Sequence, residues 1–360
     1  MPPSNIPSQR LLNQHIASPR CQHPADVVTA LGAMQGQDFP GALWSIGLRL
    51  PDATEPSVEE AFARRKIVRT WMMRGTLHVV AAADVRWMLI LLSPRIIANA
   101  APRCRQLQLD DKIFGRCRKL FAQALKGDRQ LTRDAMLELL EHEGISTAGQ
   151  RGYHILWRMA QEGLICFGAR SGKEHTFALL DDWVKPAKPM AREAALAELA
   201  RRFFTGHGPA TLADFVGWSG LKVAEARAGL DAIATKLSRQ DIDGVTCWMP
   251  SNVPEPKTSS QLVHLLPGFD EYLLGYKDRR AVLDARHAPK IVPGGNGMFL
   301  PTLIINGRVA GTWKRAFKKK SVVMAVSLFT ALKKAEKESL AMAVERYGKF
   351  VGLPAGMTIG

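Results

Sequence analysis

Gln35 and Gln37 stand one glycine apart in the stretch LGAMQGQDFP, with Asp38 directly behind them. A carboxamide does not titrate near neutral pH, so neither residue can serve as a proton-accepting base. Each can accept a hydrogen bond from water through its carbonyl oxygen and donate one through its amide. Two of them at the end of an apolar run could grip a water or the edge of a sugar. Such chemistry suffices only where the leaving group needs no acid to help it depart. A polar, capped helix end would use the same letters, and spacing alone does not separate the two readings.

A second set of candidates lies in VRTWMMRGTLHVV, which reads as strand, Arg74-Gly75 turn, strand. Alternation puts Arg69, Trp71 and Met73 on one face, and Thr76, His78 and Val80 on one face after the turn. His78 is then either within range of a cleft at the first unit or a satisfied core histidine. Arg69 and Arg74 are candidates for phosphate contact, although hairpin arginines often contact nothing.

The elements that must carry these residues read as one unit written three times. In QLTRDAMLELLEHEGIS, Thr132 is the expected N-cap of a helix running through Met136, Leu137, Leu139 and Leu140 to Gly144. GQRGYHILWRMAQEG follows with Tyr153, Leu156, Trp157 and Met159 as a core stripe. LICFGARSGKEHTFALL then turns at Arg170-Ser171-Gly172-Lys173. Helix, turn, helix, hairpin is the order of a winged helix. It returns in ATLADFVGWSGL, with Thr211 as N-cap and a break at Gly220, then KVAEARAGLDAI, then a hairpin at Asp243-Gly244. The first unit pairs HPADVVTALGAMQG with a second helix near SVEEAFARR and the Arg74-Gly75 hairpin. Asp26 precedes Gly36 as Asp134 precedes Gly144, so Gly36, Gly144 and Gly220 fall at the expected helix turns. Only at Gly36 do amides flank the glycine on both sides.

The remainder differs. HLLPGFDEYLLGYKDRR leads to FLPTLIINGRVAGTWKR, where Asn306-Gly307 signals a type I′ hairpin. The KKK run from Lys318 reads as a solubilising helix start, and a helix is expected from Leu328 to Tyr347. The expected class is α+β: three tandem winged-helix units with a small C-terminal β-sheet and a closing helix. The boundaries fall at residues 1–125, 126–188, 189–258 and 259–360, with Pro186, Pro189 and the segment from Ser251 as breaks.

Bulk numbers narrow the partners. The 360 residues carry 49 Lys and Arg against 33 Asp and Glu, a net +16 that favours a polyanion such as nucleic acid. No apolar stretch is long enough to span a membrane, and the N-terminus lacks the apolar core of a signal peptide. Five scattered cysteines with no CxxC suggest reduced thiols in the cytoplasm. No HExxH, GxGxxG, P-loop or GxSxG motif is present, so neither a metal nor another cofactor is expected.

Taken together, Gln35-Gly36-Gln37-Asp38, VRTWMMRGTLHVV, FDEYLLGYKDR and IINGRVAGTWKR resemble the winged-helix family of AlkZ/YcaQ-type DNA glycosylases over nearly the whole chain. That family's AlkZ kind carries two catalytic glutamines separated by one residue, a pattern that Gln35 and Gln37 match. The YcaQ kind has Asp in place of the second, and Asp38 lies one place too late for it. Here the middle residue is Gly36, where the pattern is usually aliphatic, and a glycine loosens the backbone. The resemblance implies monofunctional hydrolysis of N-glycosidic bonds of N7-alkylated purines in duplex DNA, including interstrand crosslinks. A cationic purine leaves as a neutral base, so two amides could suffice by aiming a water at C1′ and steadying oxocarbenium charge. Gln37 is expected to orient the water and Gln35 the sugar or Gln37 itself, or the reverse, with Asp38 and His78 as supporting neighbours.

A bulky lesion does not fit a snug flipping pocket, so a broad basic face is the expected binder. Lys277, Arg279, Arg280, Arg308, Lys314 and Arg315 flank the C-terminal hairpins and are its candidate residues, with Arg69 and Arg74 from the first unit. The alternative reading is a non-catalytic winged-helix DNA-binding regulator; another is a scaffold whose basic face meets an acidic protein. The expected state is a bacterial, nucleoid-associated cytoplasmic monomer.

Overall fold

The computed structural model describes residues 6–252 and 263–360 and divides into two compact units. One holds residues 6–59 and 197–360; the other holds 60–196. Helices and strands are mixed in both, the α+β class expected. The division cuts the 1–125 segment at residue 59, and the Ser251 break runs on outside the described residues.

In the first unit, five strands pair in the order Ala355–Ile359, Ser321–Leu328, Arg308–Lys318, Thr302–Ile305, Val263–Leu266. Only the Ser321–Leu328 and Ala355–Ile359 pair is parallel. Asn306 and Gly307 have φ of 50° and 79°, the two left-handed residues that a type I′ turn requires. The helix Lys334–Val351 buries Leu340, Val344, Tyr347 and Phe350. Trp44, on the helix Phe39–Gly47, packs against Tyr347 and Phe350, each at 5.0 Å between ring centroids. Its indole also donates to the Leu265 carbonyl at 2.7 Å. Gly47 permits this approach, because a Cβ there would lie 2.3 Å from the Phe350 ring.

Several expectations are corrected here. The helix Pro24–Leu31 stops a turn earlier than expected, and its C-cap is Gly32, with φ of 81°, not Gly36. Lys318 ends a strand, and Lys319 and Lys320 form a hairpin turn, so KKK starts no helix. The closing helix begins at Lys334, because Leu328 ends the strand Ser321–Leu328, which lies inside the sheet. FPGALWSIG, for which no element was expected, is a helix whose residues other than Pro40 are all buried. Such a segment has no polar face to reveal its period.

The helices Leu212–Ser219 and Val223–Asp231 precede a hairpin, Leu237–Ile242 with Val245–Pro250. Thr211 caps the first by accepting from Asp214 N–H, and Gly220 ends it in the left-handed conformation.

In the second unit, Ile67–Trp71 pairs antiparallel with Leu77–Ala81. The long helix Val85–Gln106 and the helix Asp111–Ala124 follow. Next come Arg133–His142, capped by Thr132, and Arg151–Gln161. A sheet then joins Leu131–Thr132, Glu174–Leu179 and Ile165–Ser171. Phe114, Phe121, Met136, Leu140, Ile155, Met159 and Phe177 lie in one core. Tyr153 was expected in that core stripe but is 39% exposed; Ile155 and Ala160 take the interior positions instead. The first strand ends at Trp71, so Met73 lies in the turn and not on the strand face. No helix among the described residues is long and apolar enough to cross a membrane.

Candidate active site

Gly32 ends a helix that buries Val27, Val28 and Leu31, and Asp38 begins the next, so the intervening residues are held at both ends. Met34 and Gly36 are buried, Gln35 is half-buried and Gln37 is exposed. The two carboxamides are therefore not sealed in a core. Asp38 is the N-cap residue of Phe39–Gly47, with φ −91° and ψ 100°. Its carboxylate lies over the first turn, where Gly41 makes room: a Cβ there would be 2.5 Å from Asp38 Oδ2. The Gln35 side-chain oxygen accepts from Gly36 N–H at 3.1 Å. For Gln37 no hydrogen bond of its carboxamide is found among the described residues, which leaves that group open to solvent and to a ligand.

Beneath the loop lies a buried polar cluster. Glu271 Oε1 accepts from the Gln35 backbone N–H at 3.0 Å. Glu271 Oε2 accepts from the Trp218 indole at 2.9 Å and faces His207 Nε2 at 3.3 Å. Glu271 is 2% exposed. His207 stacks on Phe203 at 4.8 Å and 15°, and Gly275 leaves space for its ring. Trp218 also reaches the other end of the loop, its ring lying 3.3 Å from where a Gly32 Cβ would be.

Asp270, the preceding residue, makes a bidentate pair with Arg49 at 2.8 and 2.9 Å and accepts from Ser45 Oγ at 2.6 Å. Burial alone would raise its carboxyl, but the Arg49 guanidinium and these hydrogen bonds outweigh it and hold the group below the usual range. Adjacent acids thus grip two places: Glu271 the backbone at Gln35, Asp270 the helix that follows Gln37. Sequence reasoning passed over Glu271, His207 and Trp218. The signal available was an acidic pair inside the apolar run HLLPGFDEYLLGY, where charges need partners to be buried.

The expected phosphate contacts divide. Lys277, Arg308 and Lys314 are exposed and form no ion pair among the described residues. The Lys277 backbone is fixed by donation to Asp214 at 2.8 Å. Arg280 is exposed but paired with Asp278 at 2.6 Å. Arg279 donates to the Leu273 carbonyl and lies over Phe299, and Arg315 donates to the Tyr347 hydroxyl at 2.8 Å. Both are half-buried and already engaged.

His78, Arg69 and Arg74 belong to the other unit. Arg69 is only 5% exposed, lies over Phe167 and meets His175 at 3.1 Å. It is thus engaged inside its own unit, whereas a phosphate contact was expected of it. Burial and the charges of Arg69 and Arg170 lower the His175 pKa to about 4, so a neutral ring accepts that contact. His78 is fully buried, with Nδ1 3.0 Å from the Thr76 carbonyl and Nε2 3.4 Å from Arg74. Arg74 is exposed at a left-handed φ of 57°. Trp157 donates to Gly75 O and Gln161 to Met72 O, at 3.0 and 3.1 Å, and hold that turn.

Among the described residues, no group of His, Cys, Asp and Glu is arranged to hold a metal ion.

Two relatives from Streptomyces sahachiroi resemble this chain. A curated protein named interstrand DNA cross-link repair glycosylase is 26% identical over 326 residues, covering 84% of this chain and 85% of the relative. The solved structure of DNA glycosylase AlkZ superposes with a TM-score of 0.81 at 22% identity, covering 99% of this chain and 98% of that one; it shows the shared fold. From residue 28 to residue 350 the sequence matches the family described as DNA glycosylase AlkZ-like, and the chain belongs to that family.

Proposed function

We propose that this DNA glycosylase hydrolyses the N-glycosidic bond of cationic N7-alkylated purines in duplex DNA and unhooks interstrand crosslinks built on such purines. The observation that carries the reading is the pairing of an anchored Gln35 with an exposed, unengaged Gln37. Water oxygen bonds to C1′ as the C1′–N9 bond breaks. The bonding electrons pass to the purine and cancel its positive charge, and the water's proton goes to solvent. The leaving base needs no acid, so uncharged amides can serve by position alone. Gln37 orients the water; Gln35 steadies the sugar or Gln37.

The helix–helix–hairpin order over residues 131–179 and 212–250 supports reading the chain as winged-helix units at 1–125, 126–188 and 189–258, followed by the region 259–360. Lys277, Arg308 and Lys314 are the surface cations that best suit phosphates, with Arg74 from the other unit. Net charge of +16 supports DNA as the partner. The cross-link repair name of the relative supports extending the substrate to crosslinks. The protein acts as a cytoplasmic, nucleoid-associated monomer that requires no metal or cofactor.

The test is incubation with duplexes carrying N7-methylguanine or a nitrogen-mustard crosslink, followed by alkaline cleavage at abasic sites. Strand scission at the lesion is expected, and it should be insensitive to chelators. Binding without scission would return the chain to the non-catalytic DNA-binding reading.

A further inference from the structure

We propose that Glu271 is a positioning residue for base excision, fixing the Gln35 backbone through a carboxylate that neutral side chains cannot replace. This rests on the reading of Gln35 and Gln37 as the reacting pair. The carboxylate is buried with three N–H groups directed at it: Gln35 N at 3.0 Å, Trp218 Nε1 at 2.9 Å and His207 Nε2 at 3.3 Å. One oxygen serves the loop and the other serves the indole and the imidazole. A carboxylate accepts at both oxygens, whereas a carboxamide accepts at one and donates at the other.

Glu271→Gln therefore cannot satisfy all three donors. With its oxygen toward Gln35, its NH2 faces the Trp218 indole, which can only donate. With its NH2 toward Gln35, the donor clash falls on the loop itself. Gly36 makes the consequence larger, since a glycine between the two amides supplies no side chain to hold the loop. The Gln35 N–H to Glu271 bond is a long-range tie on this segment, joining positions 236 residues apart. Its partner residue is itself immobilised, because neighbouring Asp270 is locked to Arg49 and Ser45.

The experiment compares wild type, Glu271→Gln and Trp218→Phe by single-turnover excision of N7-methylguanine, duplex affinity, thermal unfolding and exchange of the Gln35 backbone amide. Glu271→Gln should lower the excision rate by about 100-fold, the scale of a displaced reacting group, with duplex Kd within about twofold of wild type. Its Gln35 amide should exchange faster. Trp218→Phe removes a different donor to the same carboxylate, so it should lower Tm while changing the rate by less than about threefold. A purely structural role predicts the opposite pattern, with rate loss tracking Tm loss in both variants, and that result overturns the proposal. Equal excision by Glu271→Gln and wild type also overturns it. Should wild type excise nothing, the functional reading fails on its own. Amide exchange then decides the positioning claim: an unprotected Gln35 amide in wild type, or one unchanged in Glu271→Gln, refutes it.

Discussion

Replacing Arg49 with methionine would strip the charge partner from Asp270, the carboxylate that grips the helix following Gln37. Arg49 is 0% exposed. Its guanidinium donates to both Asp270 oxygens, to Gln14 O and Oε1, and to Ser45 O and Oγ, all between 2.7 and 3.0 Å. Methionine fills much of that volume but leaves the carboxylate with Ser45 Oγ and Tyr272 N–H as its remaining donors. Removing one member of a buried pair costs about 3–5 kcal/mol. At about 2–4 °C per kcal/mol for a unit of this size, Tm should fall by roughly 6–20 °C. The double variant Arg49→Met with Asp270→Asn should recover most of the loss, because a neutral amide no longer needs a buried counter-charge. The pH dependence gives a second check. Asp270 is depressed in the folded state, so its contribution is present above the unfolded value near about 3.9 and is lost as pH falls through the folded one. Without Arg49, burial dominates and raises that carboxyl, so acidification neutralises it and narrows the gap between variant and wild type. Calorimetry from pH 7 down to about pH 4 reads both effects. A loss below about 1 kcal/mol, or a gap that stays constant with pH, would refute the reasoning.

Further outcomes follow from the same structure. Gln37→Ala should reduce excision on the order of 100-fold with little change in duplex affinity, as measured by single-turnover kinetics; unaltered rates would dismiss it as the water-orienting group. Lys314→Ala should weaken binding to all duplexes alike and lower the slope of log K against log salt by about 1, read from titrations between about 50 and 200 mM salt. Burial raises all five thiols, Cys117 to about 11, so iodoacetamide should label them only after unfolding, with mass spectrometry as the readout. Gly32→Ala should cost about 1–2 kcal/mol in denaturant unfolding, because φ is 81° and the new methyl meets Trp218 at 3.3 Å.

Local signals carried much of the fold. Thr132 and Thr211 cap helices because a hydroxyl beside a helical run finds the exposed backbone amides of the first turn. Asn306-Gly307 and Asp243-Gly244 turn chains because both positions of each adopt left-handed φ. Where the pattern was ambiguous, reading failed: Gly36 and Gly32 are both plausible stops, and only packing against Trp218 and Arg202 selects Gly32. The lysines at 318–320 fit a helix start or a turn equally well, and pairing of Arg308–Lys318 with Ser321–Leu328 decides it.

The sequence alone determined the glutamine pair, the basic excess and the α+β alternation of elements, since these depend on residue type, total charge and short-range periodicity. Tertiary structure alone decided that Glu271, His207 and Trp218 meet beneath Gln35, and that Arg69 is buried while Lys314 stays at the surface. Those facts join residues up to 236 positions apart. Burial and partner choice are properties of the folded chain's packing, and no local spacing encodes them.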